Sequence, residues 1–211
     1  MCAVRSQAAR RRVEAEEERV SAESVLPVAR RIFLATGSLE MRSLARELGI
    51  GRATLYRWTS GREALLSDVL AHLGVANLHR CEREVDSPPG AERFVAVHDL
   101  HIRRISGNRQ LRSFIHAEPQ LAHRLLLSAG GRVHRAATDA LADFVRRQES
   151  RSDWRAPLDA AAFADLVARM SEAFIYGDLI AGTQPDVMTP TLALRLMLGL
   201  DGAVQPRGAA T

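Results

Sequence analysis

The chain has 211 residues, 46% of them hydrophobic, which is enough for one large domain or two small ones with a buried core. Aromatic content of only 5%, with Ala, Leu and Arg dominant and no alternating β-branched runs, excludes a mainly β architecture and predicts an all-α fold. No stretch approaches ~18 consecutive apolar residues and the N-terminus lacks an apolar signal centre, so neither a membrane span nor export is expected and the chain is assigned to the cytoplasm. Cys2 and Cys81 form neither a disulfide framework nor a zinc spacing and are read as reduced thiols. The net charge is +4, and all 29 cationic side chains are arginine, since lysine is absent. Residues 1–12 hold four Arg and no acid, 13–40 three Arg against six Glu, and 41–62 five Arg against one Glu. Positive charge is therefore concentrated in the N-terminal third, as in a protein with a nucleic-acid-facing end.

In chain order, residues 1–21 run from RRR into EAEEER with too few apolar side chains to bury, and are expected to form a flexible basic/acidic extension. A helix is predicted over 24–36 from the spacing of Val25, Val28, Ala29, Ile32 and Phe33, ended by Gly37. Two short helical patterns follow, then a long helix over 63–84 and a break at Asp86-Ser87-Pro88-Pro89-Gly90. Beyond it come a helix over 91–106, a short one through Leu111, Phe114 and Ile115, and another from Pro119, interrupted at Gly130-Gly131 before running on through Phe144. A polar connection is expected over 148–157, then helices over 158–181 and 191–200. The last is apolar on nearly every side through Leu192, Leu194, Leu196, Met197, Leu198 and Leu200, which calls for burial all round and, in a chain this small, for pairing with a second copy. Domains are expected at 22–70 and 71–205, with a tail at 206–211.

The segment MRSLARELGIGRATLYRW carries the chemistry. Its two helical patterns are each too short to be stable alone. A helix-turn-helix needs apolar residues where the helices cross, a small residue at the close approach and a turn residue tolerant of positive φ. Leu44 and Leu48 supply the first inner face, Ala45 the approach, Gly49 the turn, and Ile50, Leu55 and Trp58 the second inner face. Arg52, Ala53, Thr54, Tyr56 and Arg57 are left outward, a mixture of guanidinium, hydroxyl and phenol suited to base edges and phosphates. Gly49-Ile50-Gly51 is not a dinucleotide fingerprint, since a third Gly and a preceding strand are both missing.

The run RELGIGRATLYRWTSGREALL resembles the signature of the TetR family of ligand-responsive dimeric repressors, most closely between Phe33 and Leu70. That resemblance implies a three-helix helix-turn-helix head linked by a long helix to a C-terminal bundle that binds an effector and dimerises. It implies base reading by Arg52, Ala53 and Thr54, and backbone anchoring by Arg42, Tyr56, Arg57 and Arg62. The sequence departs from the family where Glu40 replaces the usual capping Thr and Thr59 replaces the usual Phe. YRWTSGRE is similar to the QsdR-like branch, which implies a small lactone as effector. A homodimer through the helices at 158–181 and 191–200 is expected, with double-stranded operator DNA as partner.

Phe94, Phe114, Phe144, Phe174 and Tyr176, with His98 and His101, are candidates to line an effector pocket, against the plainer reading of each as core. Metal binding by His98 and His101 with His116, His123 or His134 is not expected, nor is any cofactor. Without lysine no P-loop or Schiff base can form, and neither G-x-S-x-G nor H-E-x-x-H occurs, so no catalytic residue is assigned. A DNA-binding regulator without an effector, an activator, and a helical interaction module stay open as alternatives.

Overall fold

The computed structural model describes residues 21–128 and 130–200, which are helical throughout apart from turns, with no strand among them. The expectations for residues 1–20, including the basic arm, and for 201–211 lie outside the described residues. The chain divides into two compact units after Leu70.

The first unit holds α1 (Ala22–Thr36), α2 (Met41–Leu48), α3 (Arg52–Thr59) and the start of α4 (Arg62–Glu84). Helix α1 begins two residues earlier than its apolar spacing indicates, because Ser21 takes an extended conformation and its carbonyl accepts the Ser24 hydroxyl at 2.7 Å. It ends as expected at Gly37, left-handed at φ 71°, whose N–H returns to Phe33 O. Val25, Ala29 and Phe33 are buried, with Val28 and Ile32 at the margins. They join Leu39, Leu44, Leu55, Leu66 and Val69 in the core of this unit. Arg31 and Glu47 pair between α1 and α2.

The second unit comprises the rest of α4, α5 (Ala91–Ser106), α6 (Arg109–Ala117), α7 (Pro119–Leu126), α8 (Arg132–Ser150), α9 (Ala160–Glu172) and α10 (Met188–Met197). Helix α9 runs on through a π-helical turn (Ala173–Gly177) and one last turn (Asp178–Ile180), where an uninterrupted α-helix was expected. Three further bounds differ from expectation. Helix α8 continues to Ser150, because Gln148 is no linker residue: it is buried and its side-chain oxygen accepts the N–H of Gly90 at 3.2 Å. Helix α9 starts at Ala160, capped by Asp159, whose carboxylate accepts the N–H groups of Ala161 and Ala162 at 3.1 Å. Helix α10 occupies 188–197 rather than 191–200, since Asp186 accepts the N–H groups of Met188 and Thr189, and Gly199 turns the chain at φ 65°.

The break after α4 is closed by Arg93, whose guanidinium donates to the carbonyls of Glu82, Val85 and Ser87 at 2.6–2.7 Å. The Glu82 carbonyl is one of those a helix end leaves without an intrahelical donor, and the other two lie in the chain just beyond it. The core centres on Phe94, whose ring lies 5.3 Å from Phe144, 5.4 Å from Phe163 and 5.9 Å from Trp154. Leu78, Val97, Leu141, Val145, Val167 and Leu194 surround it. Since Phe94 meets Phe163 and His98 meets Ser171, α5 and α9 run in the same direction. Helix α10 is held to α5 by Arg195 on Glu92 at 3.0 Å and by the Thr191 hydroxyl on Asp99 at 2.8 Å.

Candidate nucleic-acid interface

The turn between α2 and α3 is set by Gly49, left-handed at φ 70°. Its N–H and that of Ile50 return to the carbonyls of Arg46 and Ala45, at 3.2 and 3.0 Å, which closes α2 in a Schellman-type cap. Leu44 and Leu55 are fully buried, and Ala45 is 3% exposed, so α3 comes close to α2 over a small side chain. Glu40 gives no side-chain cap to α2, and Gly51, which has no side chain to offer, precedes α3. The two short helices therefore owe their stability to the shared apolar contact and their C-terminal caps rather than to side-chain capping at their starts. Thr59, at the position of the departure noted above, is buried and donates its hydroxyl to Leu55 O at 2.9 Å, so the smaller residue is accommodated by a bond within its own helix.

Arg52, Ala53, Tyr56 and Arg57 are exposed on α3, Tyr56 at 43%, and Thr54 is half-buried. Arg42 is exposed on α2, as is Arg46, which sequence reasoning did not single out. Neither these two nor Arg52 and Arg57 has an ion-pair or hydrogen-bond partner among the described residues. Glu47, the only acid between 41 and 62, is occupied by Arg31. The surface of α2 and α3 thus carries uncompensated guanidinium groups around one phenol. Arg62 differs from the others: it is half-buried and its Nε donates to Leu39 O at 2.7 Å, so it first serves to hold the α1–α2 loop against the start of α4.

The candidate pocket residues of the second unit fall into two groups. Phe94 and Phe144 are fully buried against each other and Phe114 is buried in α6, so these rings fill core instead of lining an opening. Trp154 and Phe163, which complete the Phe94 stack, come from segments distant in sequence and gave no local signal of it. Phe174 is half-buried in the π turn. His98 and His101 are polar groups in this interior. His98 is buried, its Nε2 lies 2.8 Å from Ser171 Oγ, and burial pushes its pKa down to about 4. His101 Nδ1 lies 2.8 Å from the side-chain amide of Asn77, and desolvation pushes its pKa down to about 3.

His134, weighed above as a metal ligand, sits between carboxylates instead, with Nε2 2.9 Å from Asp165 and Nδ1 3.0 Å from Glu172. Burial raises the Glu172 pKa against the opposing pull of His134, while Arg169, then His134, lowers that of Asp165. Among the described residues no set of three His, Cys, Asp or Glu side chains is placed to hold a metal ion. An open groove of about 460 Å3 between α8 and α9 is lined by Thr138, Asp143, Arg146 and Asp165 and contains none of the expected pocket residues. No helix among the described residues is long and apolar enough to cross a membrane.

Among solved structures the chain is similar to the transcriptional repressor QsdR of R. erythropolis, with a TM-score of 0.79 at 23% identity over 88% of this chain and 97% of that one. It is similar also to the TetR-family repressor AlkX of Dietzia sp. strain DQ12-45-1b, with a TM-score of 0.61 at 16% identity over 86% and 95%. At these identities the likeness speaks to the fold. No curated protein sequence matches the chain. A protein-family model, the tetracyclin repressor-like C-terminal domain, matches residues 89–199, more than half of the 211 residues. The chain therefore belongs to the TetR family of transcriptional regulators.

Proposed function

We propose that the first unit binds operator DNA, that the second binds a small effector and a second copy of the chain, and that effector binding favours the DNA-free state. The observation that carries the first part is the outer face of α2 and α3, where arginines without partners among the described residues flank Tyr56. On duplex DNA, α3 enters the major groove with Arg52, Ala53 and Thr54 at the base edges. Arg42, Tyr56 and Arg57 take phosphates and fix the register. Arg62 keeps its structural bond to Leu39 O and directs its remaining donors to the backbone.

Dimerisation through α9 and α10 is supported by apolar side chains left exposed on both helices: Leu158 and Leu166 at and on α9, and Met188, Leu192 and Leu196 on α10. The relatives QsdR and AlkX are described as repressors, which favours repression as the sign of regulation here. A small lactone remains the effector implied by the sequence likeness. Release from DNA requires that effector to bind the DNA-free conformation more tightly than the DNA-bound one.

Binding of the purified protein to the duplex upstream of its own coding sequence tests the reading. We expect protection of a roughly two-fold symmetric site and a steep fall of affinity with salt. Affinity equal to that for scrambled duplex, with no protected site, would refute operator recognition.

A further inference from the structure

Two nitrogens on one face of α5 have no partner among the described residues, and hydrogen-bond logic fixes the role of each. Ser171 Oγ lies 2.8 Å from the carbonyl oxygen of Val167, which can only accept, so the hydroxyl proton is used there. Toward His98 Nε2, also at 2.8 Å, Ser171 then has only lone pairs to offer, and His98 must carry its proton on Nε2. His98 Nδ1 is therefore a bare acceptor, and it is buried with no donor opposite it. One turn further, Asn77 Nδ2 lies 3.2 Å from the main-chain oxygen of His101, which fixes the amide nitrogen on that side. The same nitrogen donates to His101 Nδ1 at 2.8 Å, so His101 carries its proton on Nε2, a donor with no partner among the described residues.

His98 lies near enough to His101 to push its titration down, so the two imidazoles are neighbours. His101 and Tyr176 are deep enough for desolvation to dominate their titration, downward for the imidazole and upward for the phenol, yet each keeps accessible surface. The Tyr176 hydroxyl also has no protein partner among the described residues. Tyr176 belongs to the π turn, which packs against α5 and, given the shared direction of α5 and α9, falls level with the turn carrying His101. Single π turns inside α-helices recur at functional sites. A Cβ built on Gly177 in that turn, or on Gly74 of α4, would meet no atom. Unpartnered buried polar atoms are rare in folded proteins, and each calls for a partner such as a water or a ligand.

We infer that the second unit binds, between α4, α5 and the π turn, an uncharged small molecule bearing both a hydrogen-bond donor, taken by His98 Nδ1, and an acceptor, met by the His101 Nε2–H, as in a secondary amide, a lactam or a hydroxylated carbonyl compound. This rests on the reading of that unit as effector-binding and favours a donor-bearing ligand over the plain lactone that the sequence likeness implies. A carboxylate is excluded, because it offers no donor to Nδ1 and both imidazoles are neutral near pH 7. A plain lactone satisfies His101 alone.

The test uses matched neutral probes on the full-length protein: a γ-alkyl lactam against the corresponding lactone, and N-methylhexanamide against methyl hexanoate, with hexanoate as the anion. Calorimetry should show the lactam and the amide binding about tenfold more tightly than their donor-free isosteres, the size of one buried neutral hydrogen bond, and hexanoate not at all. Nitrogen-15 spectra of the wild-type protein should show the His98 Nδ1 resonance moving with the lactam and unmoved by the lactone, a readout that needs no variant to fold. His98→Phe should abolish the preference. Equal affinities within each pair, or a His98 Nδ1 signal that no probe moves, would overturn the inference. Binding by none of the probes would overturn it as well. The effector reading itself is judged separately, by whether any compound in a wider screen releases operator DNA.

Discussion

The arginines of the two units are used in opposite ways. In the second unit most of those on the helices are spent internally: Arg103 on Asp99, Arg146 on Asp143, Arg147 on Glu82, Arg169 on Asp165 and Arg195 on Glu92, while Arg93 holds three carbonyls. On the outer face of α2 and α3 the arginines have no such partners, and the single acid nearby is turned toward α1. Exposed ion pairs add at most about 1 kcal/mol to stability, so the pairing in the second unit does little for the fold. Its consequence is electrostatic, since paired charge is neutral to an incoming polyanion and unpaired charge is not. The same residue type is therefore scaffold trim in one unit and recognition surface in the other.

The units differ in another way that permits sharp tests. Each holds one of the two tryptophans, Trp58 in the first and Trp154 in the second, so fluorescence of single Trp→Phe variants reports each separately. The largest expected effect is Leu55→Ala, which empties the contact between α2 and α3. It should cost about 2–5 kcal/mol and unfold the first unit by the Trp58 signal, leaving Trp154 unchanged. Simultaneous loss of both signals would show that the units do not unfold independently.

Acid should act in the reverse sense, because the described part of the first unit contains no histidine. His98 titrates at about 4 when folded, against 6.5 for an unperturbed imidazole, so between those values the unfolded chain binds the extra proton. Stability of the second unit should therefore be full above pH 6.5 and fall as pH drops toward 4, by an amount on the order of 3 kcal/mol from His98, with His101, pushed down to about 3, adding in the same direction. Urea titrations followed at Trp154 between pH 7 and 4 measure it, and a flat profile would contradict the buried neutral state of His98. Gly49→Ala comes next, since a Cβ at φ 70° costs about 1–2 kcal/mol and should lower the Trp58 midpoint alone, although no atom obstructs it. Smallest is Arg169→Ala, which removes an exposed pair and should shift the urea midpoint only slightly in low salt and less again in high salt.

The helix-turn-helix was legible in the sequence because its information is local: apolar spacing, one left-handed Gly and one small residue lie within eighteen consecutive positions. The same holds for Gly37 and for the Pro88-Pro89 break. What was not legible depends on partners far along the chain. Gln148 reads as linker until Gly90 presents its amide, and the structural bond of Arg62 stays hidden until Leu39 presents its carbonyl. Phe94 and Phe144 read more readily as core than as pocket, and the stacking of Trp154 and Phe163 beside Phe94 is what the sequence could not show. The π turn has no periodicity to announce it, since the residues on either side keep the helical pattern.

The contrast between the two sets of arginines is tested most directly by the salt dependence of operator binding. Arg42→Ala, Arg52→Ala and Arg57→Ala should be compared with Arg103→Ala, Arg146→Ala and Arg169→Ala on the same duplex. Each of Arg42→Ala and Arg57→Ala should flatten the slope of log K against log salt by about one and weaken all sequences alike. Arg52→Ala should relax preference at particular base pairs by about 1–3 kcal/mol, and the three changes in the second unit should leave slope and preference as they were. If neutralising the second unit's arginines flattened the slope as much as neutralising those of α2 and α3, the outer face of the helix-turn-helix would not be the surface that meets DNA.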